Sequence, residues 1–246
     1  MNAKTIICVY ISMEKRINHN LIKRNRFLFL FLLFPFGSMS QASFLNEEKI
    51  SFQFDHEHDK EIVEYLERVP DFSKLSAKEK AFFYWVNVFR KNPKEFGEKI
   101  IKPYLVSNPR YNNRFAKSLF RDLESAVGSL PFFFPSPVLH KLCESHCLDL
   151  VRNGGRLSHR SSSGKSFSDR VDELSDVACS AENLFAGYSS SLEAIIALLI
   201  DSGVESLGHR KNMMNPHMER MWVSIRYSRD EFIVVQDLAC KNPCEY

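Results

Sequence analysis

Two histidines and two acids of this 246-residue chain stand in short segments where polar chemistry can be concentrated. His159 and His209 each follow a small residue, which leaves room for close approach to the imidazole. Glu182 lies in an apolar context, and a buried carboxylate without a partner costs several kcal/mol. Asp201 comes directly after an apolar run. We therefore predict that these four side chains form one polar site.

Such a set of side chains suits two kinds of chemistry, and spacing alone does not choose between them. Two imidazoles and two carboxylates can hold a borderline divalent metal such as zinc, with one coordination position open to water. The same residues can form hydrogen-bonded acid/base pairs without a metal, because imidazole titrates near neutral pH. A third interpretation is that each residue only caps a loop.

No serine or cysteine stands in a recognisable motif for an activated nucleophile. Ser158 directly precedes His159, but adjacent residues rarely form a nucleophile–base pair. His146 lies on the apolar face of a predicted helix, which is typical of a core histidine rather than a ligand. The sequence therefore favours a protein that is not an enzyme. In an enzyme, Glu182 or Asp201 would be the general base.

The elements that must position these residues are helices first and strands later. Apolar residues recur at three- and four-residue steps along several segments, which predicts helices at 77–91, 93–101, 116–126, 137–153, 167–174 and 191–200. Pro103 is expected to end the second of these helices, and Gly154 the fourth.

Short strands are predicted at 181–184, 222–226 and 232–238, with a turn at 228–230 between the last two. Helices in the first half and strands in the second fit one domain over residues 77–246. The preceding polar residues 43–76 are predicted to be a lead-in segment rather than a domain of their own.

The first 42 residues have the features of an export signal. Lys23, Arg24 and Arg26 form a basic cluster, an apolar run follows at 27–36, and small residues near 42 suit cleavage. If translation starts at Met13, the signal has an ordinary length. The alternatives are an uncleaved anchor or a buried helix, but a run of about ten residues is too short to span a bilayer. We therefore expect a secreted, periplasmic or cell-envelope protein without a transmembrane anchor.

The chain has six cysteines, and Cys8 falls in the predicted signal. The remaining five are an odd number, so at least one thiol stays free or pairs between chains. Export permits disulfides, and Cys240 with Cys244 is predicted to form a tight local bridge. Cys143 and Cys147 are one helical turn apart, and one of them is a candidate partner for Cys179.

The composition is that of an ordinary globular protein, with 44% hydrophobic and 26% charged residues. A chain of this kind can build a hydrophobic core without metals or dense disulfides. The net charge is +3, and much of the excess lies in the predicted signal. Beyond the signal no long run of lysine and arginine occurs, which argues against nucleic-acid binding.

Six short segments appear in the order typical of a known family. They are Asn87-Val88-Phe89-Arg90 with Asn92-Pro93, Leu157-Ser158-His159, residues 163–171, Glu182-Asn183-Leu184, Gly208-His209-Arg210-Lys211-Asn212 with Asn215-Pro216, and Val234-Val235-Gln236-Asp237. Together they resemble the CAP superfamily (cysteine-rich secretory proteins, antigen 5 and pathogenesis-related proteins), especially its bacterial SCP-domain branch. The resemblance runs from about residue 77 to the C-terminus.

The resemblance implies an α/β fold, an α-β-α sandwich with a small central, mainly antiparallel sheet. It also implies a cleft in which two histidines and two acids can hold a divalent ion, here His159, Glu182, Asp201 and His209. Eukaryotic relatives have a glutamate where Asp201 stands, one methylene longer, and Glu205 lies nearby in a loop. Those relatives also have more disulfides in their last strands than Cys240 and Cys244 can supply.

Three functions follow from the resemblance. The first is a secreted protein that binds a lipid or another small apolar ligand, or a partner that the sequence does not identify. The second is a metal-dependent hydrolase in which His159 and His209 hold zinc, and Glu182 or Asp201 activates the bound water. The third is a cell-envelope structural protein in which the four residues only stabilise the fold.

Overall fold

A computed structural model describes residues 43–126, 128–174, 177, 179–187, 190–229 and 231–240. The predicted export signal, with Met13 and Cys8, lies outside the described residues, and so does Cys244. Among the described residues, no helix is both long enough and apolar enough to cross a membrane.

The helices lie between residues 60 and 214. In chain order they are α1 (Lys60–Glu67), α2 (Ala77–Lys91), α3 (Pro93–Phe96), α4 (Lys102–Ser107), α5 (Arg114–Ser125), α6 (Pro137–Arg152), α7 (Phe167–Val171), α8 (Ser191–Ile200) and α9 (Gly208–Met214). Two long helices, α2 and α6, follow the predicted apolar pattern closely. Ser76 and Glu79 close a capping box at the start of α2, which fixes its first residue.

The segment after α2 differs from the predicted single helix at 93–101. α3 runs into a π-helical turn, Gly97–Ile101, which continues into α4. The prediction that Pro103 ends the helix is therefore wrong. Pro103 stands in the first turn of α4, directly after the π-helical turn, and the helix continues there without the backbone N–H that proline lacks.

Four strands form one sheet in the order β1-β3-β4-β2. They are β1 (Phe134–Pro135), β2 (Ser180–Gly187), β3 (Met218–Ser228) and β4 (Glu231–Cys240). The short β1 runs parallel to β3, and the other two pairings are antiparallel. In the register, Glu182 of β2 lies opposite Asp237 of β4, and Asn183 lies opposite Gln236.

Helical layers cover the sheet on both sides. α6 packs across β3 and β4, and the thiols of Cys143 and Cys147 donate to carbonyl groups of these two strands. α2 and α8 pack against each other, and they contact β3 and β2 respectively. This arrangement confirms the α-β-α sandwich with a small, mainly antiparallel sheet that the resemblance implied.

Residues 43–76 pack on the same core as the rest of the described chain. Phe44, Leu45 and Phe52 are buried in the cluster that contains α2 and α8, and α1 contacts α2. The short 3₁₀ turns Ser43–Glu47 and Pro70–Lys74 flank α1. The division at residue 76 into a lead-in segment and a domain stays a prediction of the sequence.

The disulfide of the described chain joins Cys179 to Cys240. The predicted Cys240–Cys244 bridge is therefore wrong, and so is the pairing of Cys179 with Cys143 or Cys147. Cys143 and Cys147 are both buried free cysteines on α6 that face the sheet. Cys179 precedes the edge strand β2 and Cys240 ends β4, so their pairing follows from strand register, which spacing along the chain does not reveal.

Candidate functional site

The first histidine–acid pair joins a surface loop to the edge strand β2. His159 donates from Nδ1 to Oε1 of Glu182 over 2.8 Å. The Glu182 side chain is only 1% exposed, whereas that of His159 is 57% exposed. Because Nδ1 is engaged with the carboxylate, the Nε2 atom is left for another partner.

The loop that carries His159 is held by an acid on α6. Asp149 accepts hydrogen bonds from the backbone N–H and the hydroxyl of Ser162. Burial opposes its charge, but these bonds outweigh that effect and hold the pKa of Asp149 below its usual value. Asp149 thus anchors the loop, and His159 of the same loop bonds Glu182 of β2.

Glu182 has further partners that the sequence analysis missed. Arg170 of α7 donates from Nη2 to Glu182 Oε2 over 2.7 Å. His146 of α6 lies with Nε2 at 3.8 Å from the same oxygen and donates to the carbonyl of Ser158 over 2.9 Å. Burial lowers the pKa of His146 and so favours its neutral form. It lies under the first pair rather than in an apolar core.

Asp237 adds a second acid beneath Glu182. Its side chain is fully buried, and neither carboxylate oxygen has a hydrogen-bond partner among the described residues. Burial and the neighbouring charge of Glu182 raise the pKa of Asp237 well above its usual value. Nε and Nη1 of Arg170 and Nδ1 of His146 are likewise buried without a partner in the described part of the chain. The floor of the first pair is therefore polar and incompletely bonded.

The second pair lies where α8 ends and α9 begins. His209 donates from Nδ1 to Oδ1 of Asp201 over 2.7 Å. Oδ2 of Asp201 accepts the backbone N–H groups of His209 at 3.0 Å and Arg210 at 3.3 Å. Asp201 ends α8 with a left-handed backbone, φ 59°, which aspartate tolerates better than most residues. The backbone of Asp201 thus ends α8, while its carboxylate binds N–H groups in the first turn of α9 and orients the imidazole of His209.

A chain of amide groups ties the second pair to the sheet. Asn183 is fully buried; it donates to Gln236 over 2.8 Å and accepts from Asn212 of α9 over 2.8 Å. Its amide also lies 3.5 Å from the carbonyl of His209. The sequence analysis named Asn183 and Asn212 as motif residues without giving them a role. Both belong to polar stretches flanked by apolar residues, which is the signal that identifies them.

The two pairs contact adjacent residues of β2, because His159 bonds Glu182 and the carbonyl of His209 lies beside the amide of Asn183. Successive side chains of a strand point to opposite faces, so Glu182 faces the α6 layer and Asn183 faces α9. No hydrogen bond or ion pair between described residues joins one pair to the other. The described residues also contain no group of three or more His, Cys, Asp or Glu side chains arranged to hold a metal ion. Glu205 is exposed and pairs with Arg114, so Asp201 is the acid that meets His209.

A cavity of about 250 Å³ adjoins the second pair. Its wall is mainly apolar and aromatic, with polar groups at one side; the lining residues are Tyr104, Tyr111, Leu184, Phe185, Ala197, Leu198, Ile200, Asp201, Ser202, Val204 and His209. Ligand sites combine an apolar wall with a few polar groups in this way, and this volume lies just below their usual range of about 300–1,000 Å³.

A larger cavity of about 550 Å³ lies away from both pairs. It is bounded by residues 55–59 and by α2 and α3, and charged side chains of both signs line it. Lys91 is paired with Asp59 and Glu61, and Lys99 with Glu95. These ion pairs use much of the charge that a ligand would need, so the smaller cavity is the better candidate site.

No protein-family model matches this chain. No curated protein matches it either. An extracellular protein containing an SCP domain from Bacillus anthracis is a structural match, with 18% identity and a TM-score of 0.44. The match covers 70% of this chain and 44% of that one, so this chain spans less than half the length of the Bacillus protein.

Two further solved structures are similar. An outer surface protein from Borrelia burgdorferi is 16% identical with a TM-score of 0.39, covering 55% of this chain and 92% of that one. Venom allergen-like protein 4 from Schistosoma mansoni is 15% identical with a TM-score of 0.41, covering 68% and 90%. At such identities the likeness concerns the fold alone.

Proposed function

We propose that this chain is an exported CAP/SCP-type domain that binds a small apolar ligand in the cavity beside His209 and Asp201. The observation that carries the proposal is the lining of that cavity, in which apolar and aromatic side chains adjoin one oriented imidazole. His209 is 22% exposed at its side chain and can meet the polar end of a ligand, while the apolar end occupies the wall.

Its volume limits the ligand that we propose. About 250 Å³ accommodates a short acyl chain or one aromatic ring system, but not a whole sterol. The apolar lining favours a chain or ring, and the imidazole favours a carboxylate or hydroxyl at the open end. Octanoate has both features and is a suitable probe.

The first test fills the cavity. We expect Val204→Phe to weaken octanoate binding about tenfold, because the larger side chain occupies space that the ligand needs. Val106→Phe makes the same chemical change at a side chain that is 79% exposed, and we expect it to leave affinity unchanged. Calorimetric titration of both variants measures the difference. Equal affinities in the two would contradict the proposed cavity, and lipid mass spectrometry of the purified wild type would identify a natural ligand.

We further propose that the two histidine–acid pairs can bind one zinc ion through the Nε2 atoms of His159 and His209. The donor set fits this assignment, because each imidazole already gives Nδ1 to a buried carboxylate, which is the usual support of a zinc-bound histidine. Glu182 and Asp201 then orient the ligands rather than bind the ion, since their oxygens already accept other donors. A bound zinc ion supplies Lewis-acid chemistry and acidifies coordinated water.

A zinc titration tests this assignment. We expect His159→Ala and His209→Ala each to abolish zinc binding if one ion is shared, because a single imidazole is a weak site. Exposed His217 lies outside both pairs, and His217→Ala should bind zinc like the wild type. Calorimetry gives both affinity and stoichiometry. Zinc binding with unchanged affinity and stoichiometry in either pair variant would remove the proposal that the two histidines share one ion.

A metal-dependent hydrolase is the alternative function, and the oriented imidazoles favour it. It predicts turnover of a peptide or ester panel that a chelator suppresses and that either histidine variant lacks. A silent panel together with a bound lipid would support the binding function instead.

We also propose that the protein is exported. The basic and apolar pattern of the first 42 residues supports this, and the similar proteins are described as extracellular or outer-surface proteins. Cell fractionation, with mass spectrometry of the mature N-terminus, tests the compartment and the predicted cleavage near residue 42. A full-length protein that stays in the cytoplasm would contradict export.

A further inference from the structure

Residues 43–58 run over the α2–α8 layer, and we call them the N-terminal strap. Hydrogen bonds hold the strap to the start of α8, with one acceptor on the strap and one on α8. Glu48 Oε2 accepts the backbone N–H of Ser191 at 2.7 Å, and Glu193 Oε1 accepts that of Ser51 at 3.3 Å. A carboxylate at a helix N-terminus satisfies N–H groups that have no intrahelical partner. The strap is therefore a fixed part of this layer.

Aromatic rings connect the strap to the cavity beside His209. Phe52 of the strap meets Tyr104 edge to face, with ring centroids 5.3 Å apart. Tyr104 stacks on Tyr111 at 5.7 Å, and these two rings line the cavity. Phe52 and Tyr104 are 7% and 6% exposed, so their contact is excluded from water. Phe52 thus lies directly behind the aromatic wall without lining the cavity itself.

Neighbouring contacts fix the Phe52 ring in turn. Phe54 stacks on it at 5.1 Å and meets Trp85 of α2 at 5.8 Å. Well-packed rings of this kind leave little space for a side chain to shift. If Phe52 is shortened, the Tyr104 ring gains space behind it and can move away from the cavity.

We propose that Phe52 is a positioning residue for the ligand cavity, because it holds Tyr104 and Tyr111 in place. The strap, which precedes the domain predicted at 77–246, thereby sets the width of the cavity and the size of ligand it accepts. The effect on ligand size rests on the proposed apolar-ligand function, but the position of the two tyrosine rings can be measured without any ligand.

The experiment compares Phe52→Ala with Phe44→Ala in the whole protein. Phe44 also belongs to the strap, is buried to a similar degree and makes edge-on contacts with Phe72 and Tyr84. The two variants therefore remove the same atoms from the same segment, but only one of them lies behind the cavity wall.

In the ligand-free proteins, NMR of ring-labelled tyrosine and of His209 should show shifts at Tyr104, Tyr111 and His209 in Phe52→Ala alone. Phe52→Leu refills most of the space and should return these signals towards those of the wild type. Unshifted Tyr104 and Tyr111 signals in Phe52→Ala, or the same shifts in Phe44→Ala, would overturn the proposal.

The second readout is octanoate affinity by calorimetry. We expect Phe52→Ala to bind about fivefold more weakly and to favour a longer chain such as dodecanoate, while Phe44→Ala stays within about twofold of the wild type. If the wild type binds neither acid, the apolar-ligand function fails, whereas the tyrosine signals still decide the positioning role. If the ring signals shift but the chain-length preference does not, the inferred control of ligand size is wrong.

Discussion

At the scale of single residues, each histidine of the candidate site has a fixed orientation. The carboxylates of Glu182 and Asp201 both accept from Nδ1, so the same nitrogen, Nε2, is left for a ligand in each pair. The apolar surroundings of Glu182 in the sequence were enough to predict that its carboxylate has a partner. The sequence could not identify Arg170 as that partner, because the contact depends on how α7 lies beside β2.

Asp237 provides a test of the polar floor under Glu182. Burial raises its pKa, so the folded protein holds a proton at pH values where the unfolded chain has lost it. Stability therefore falls as pH rises from the unfolded pKa, about 4, up to the raised folded pKa, and then levels off. Asp237→Asn removes this proton uptake without a change of shape. We expect the variant to have a flatter stability–pH profile than the wild type above pH 4.

Denaturant unfolding at a series of pH values measures the two profiles. Asp172→Asn, at an exposed acid that follows α7, is a suitable control and should keep the slope of the wild type. Parallel profiles for the wild type and Asp237→Asn would show that Asp237 is ionised in the folded protein.

Arg90 shows why some residues escape prediction from the sequence. It lies in the first family-like segment, but its guanidinium donates to the carbonyls of Met213, Asn215 and Met218 and lies over the ring of Phe133. These carbonyls come more than 120 residues later in the chain. A local pattern carries no information about such partners.

At the scale of elements, the apolar periodicity predicted helices and strands well where one face meets the core. α2, α6 and the β3–β4 pair agree with the predicted segments to within a few residues. The 93–107 region was predicted less well, because a proline was taken as a helix end although it begins a new turn after the π-helical stretch.

The link between α9 and β2 gives a prediction at this scale. Asn212→Ala removes the side-chain amide that donates to Asn183 and leaves the buried Oδ1 atom of Asn183 without this donor. We expect a loss of about 1–3 kcal/mol in the free energy of unfolding. Because the same link holds α9, the His209 signals should also shift in an NMR spectrum.

Asn153→Ala is the matched control for this change. Asn153 is exposed at the end of α6 and bonds only within that helix end. Its removal should cost less than about 1 kcal/mol and leave His209 unchanged. An Asn212→Ala protein with unaltered His209 signals would mean that α9 is held by other contacts.

At the scale of the molecule, the fold class and the order of the family-like segments could be predicted, while the disulfide could not. Cys179 and Cys240 are 61 residues apart and meet because β2 and β4 are neighbours in the sheet. Sequence proximity favoured Cys240 with Cys244 instead. Strand order is set by the packing of the whole chain, and no short segment contains it.

Cys179→Ser tests the contribution of this bridge. Closing a loop of this length restricts the unfolded chain, so its loss should lower the free energy of unfolding by about 2–5 kcal/mol. Reduced wild-type protein should unfold at the same denaturant concentration as the variant, which serves as the control. If the reduced protein is as stable as the oxidised one, the bridge contributes nothing to the fold.

The strand order also constrains when the site can come into being during synthesis. β4 lies in the interior of the sheet between β3 and β2, yet it is made after both. Until β4 emerges, β2 has no neighbouring strand to pair with, and no pairing fixes the positions of Glu182 and Asn183. A nascent chain halted before residue 231 should therefore lack the β2–β4 pairing that positions Glu182 of the first histidine–acid pair.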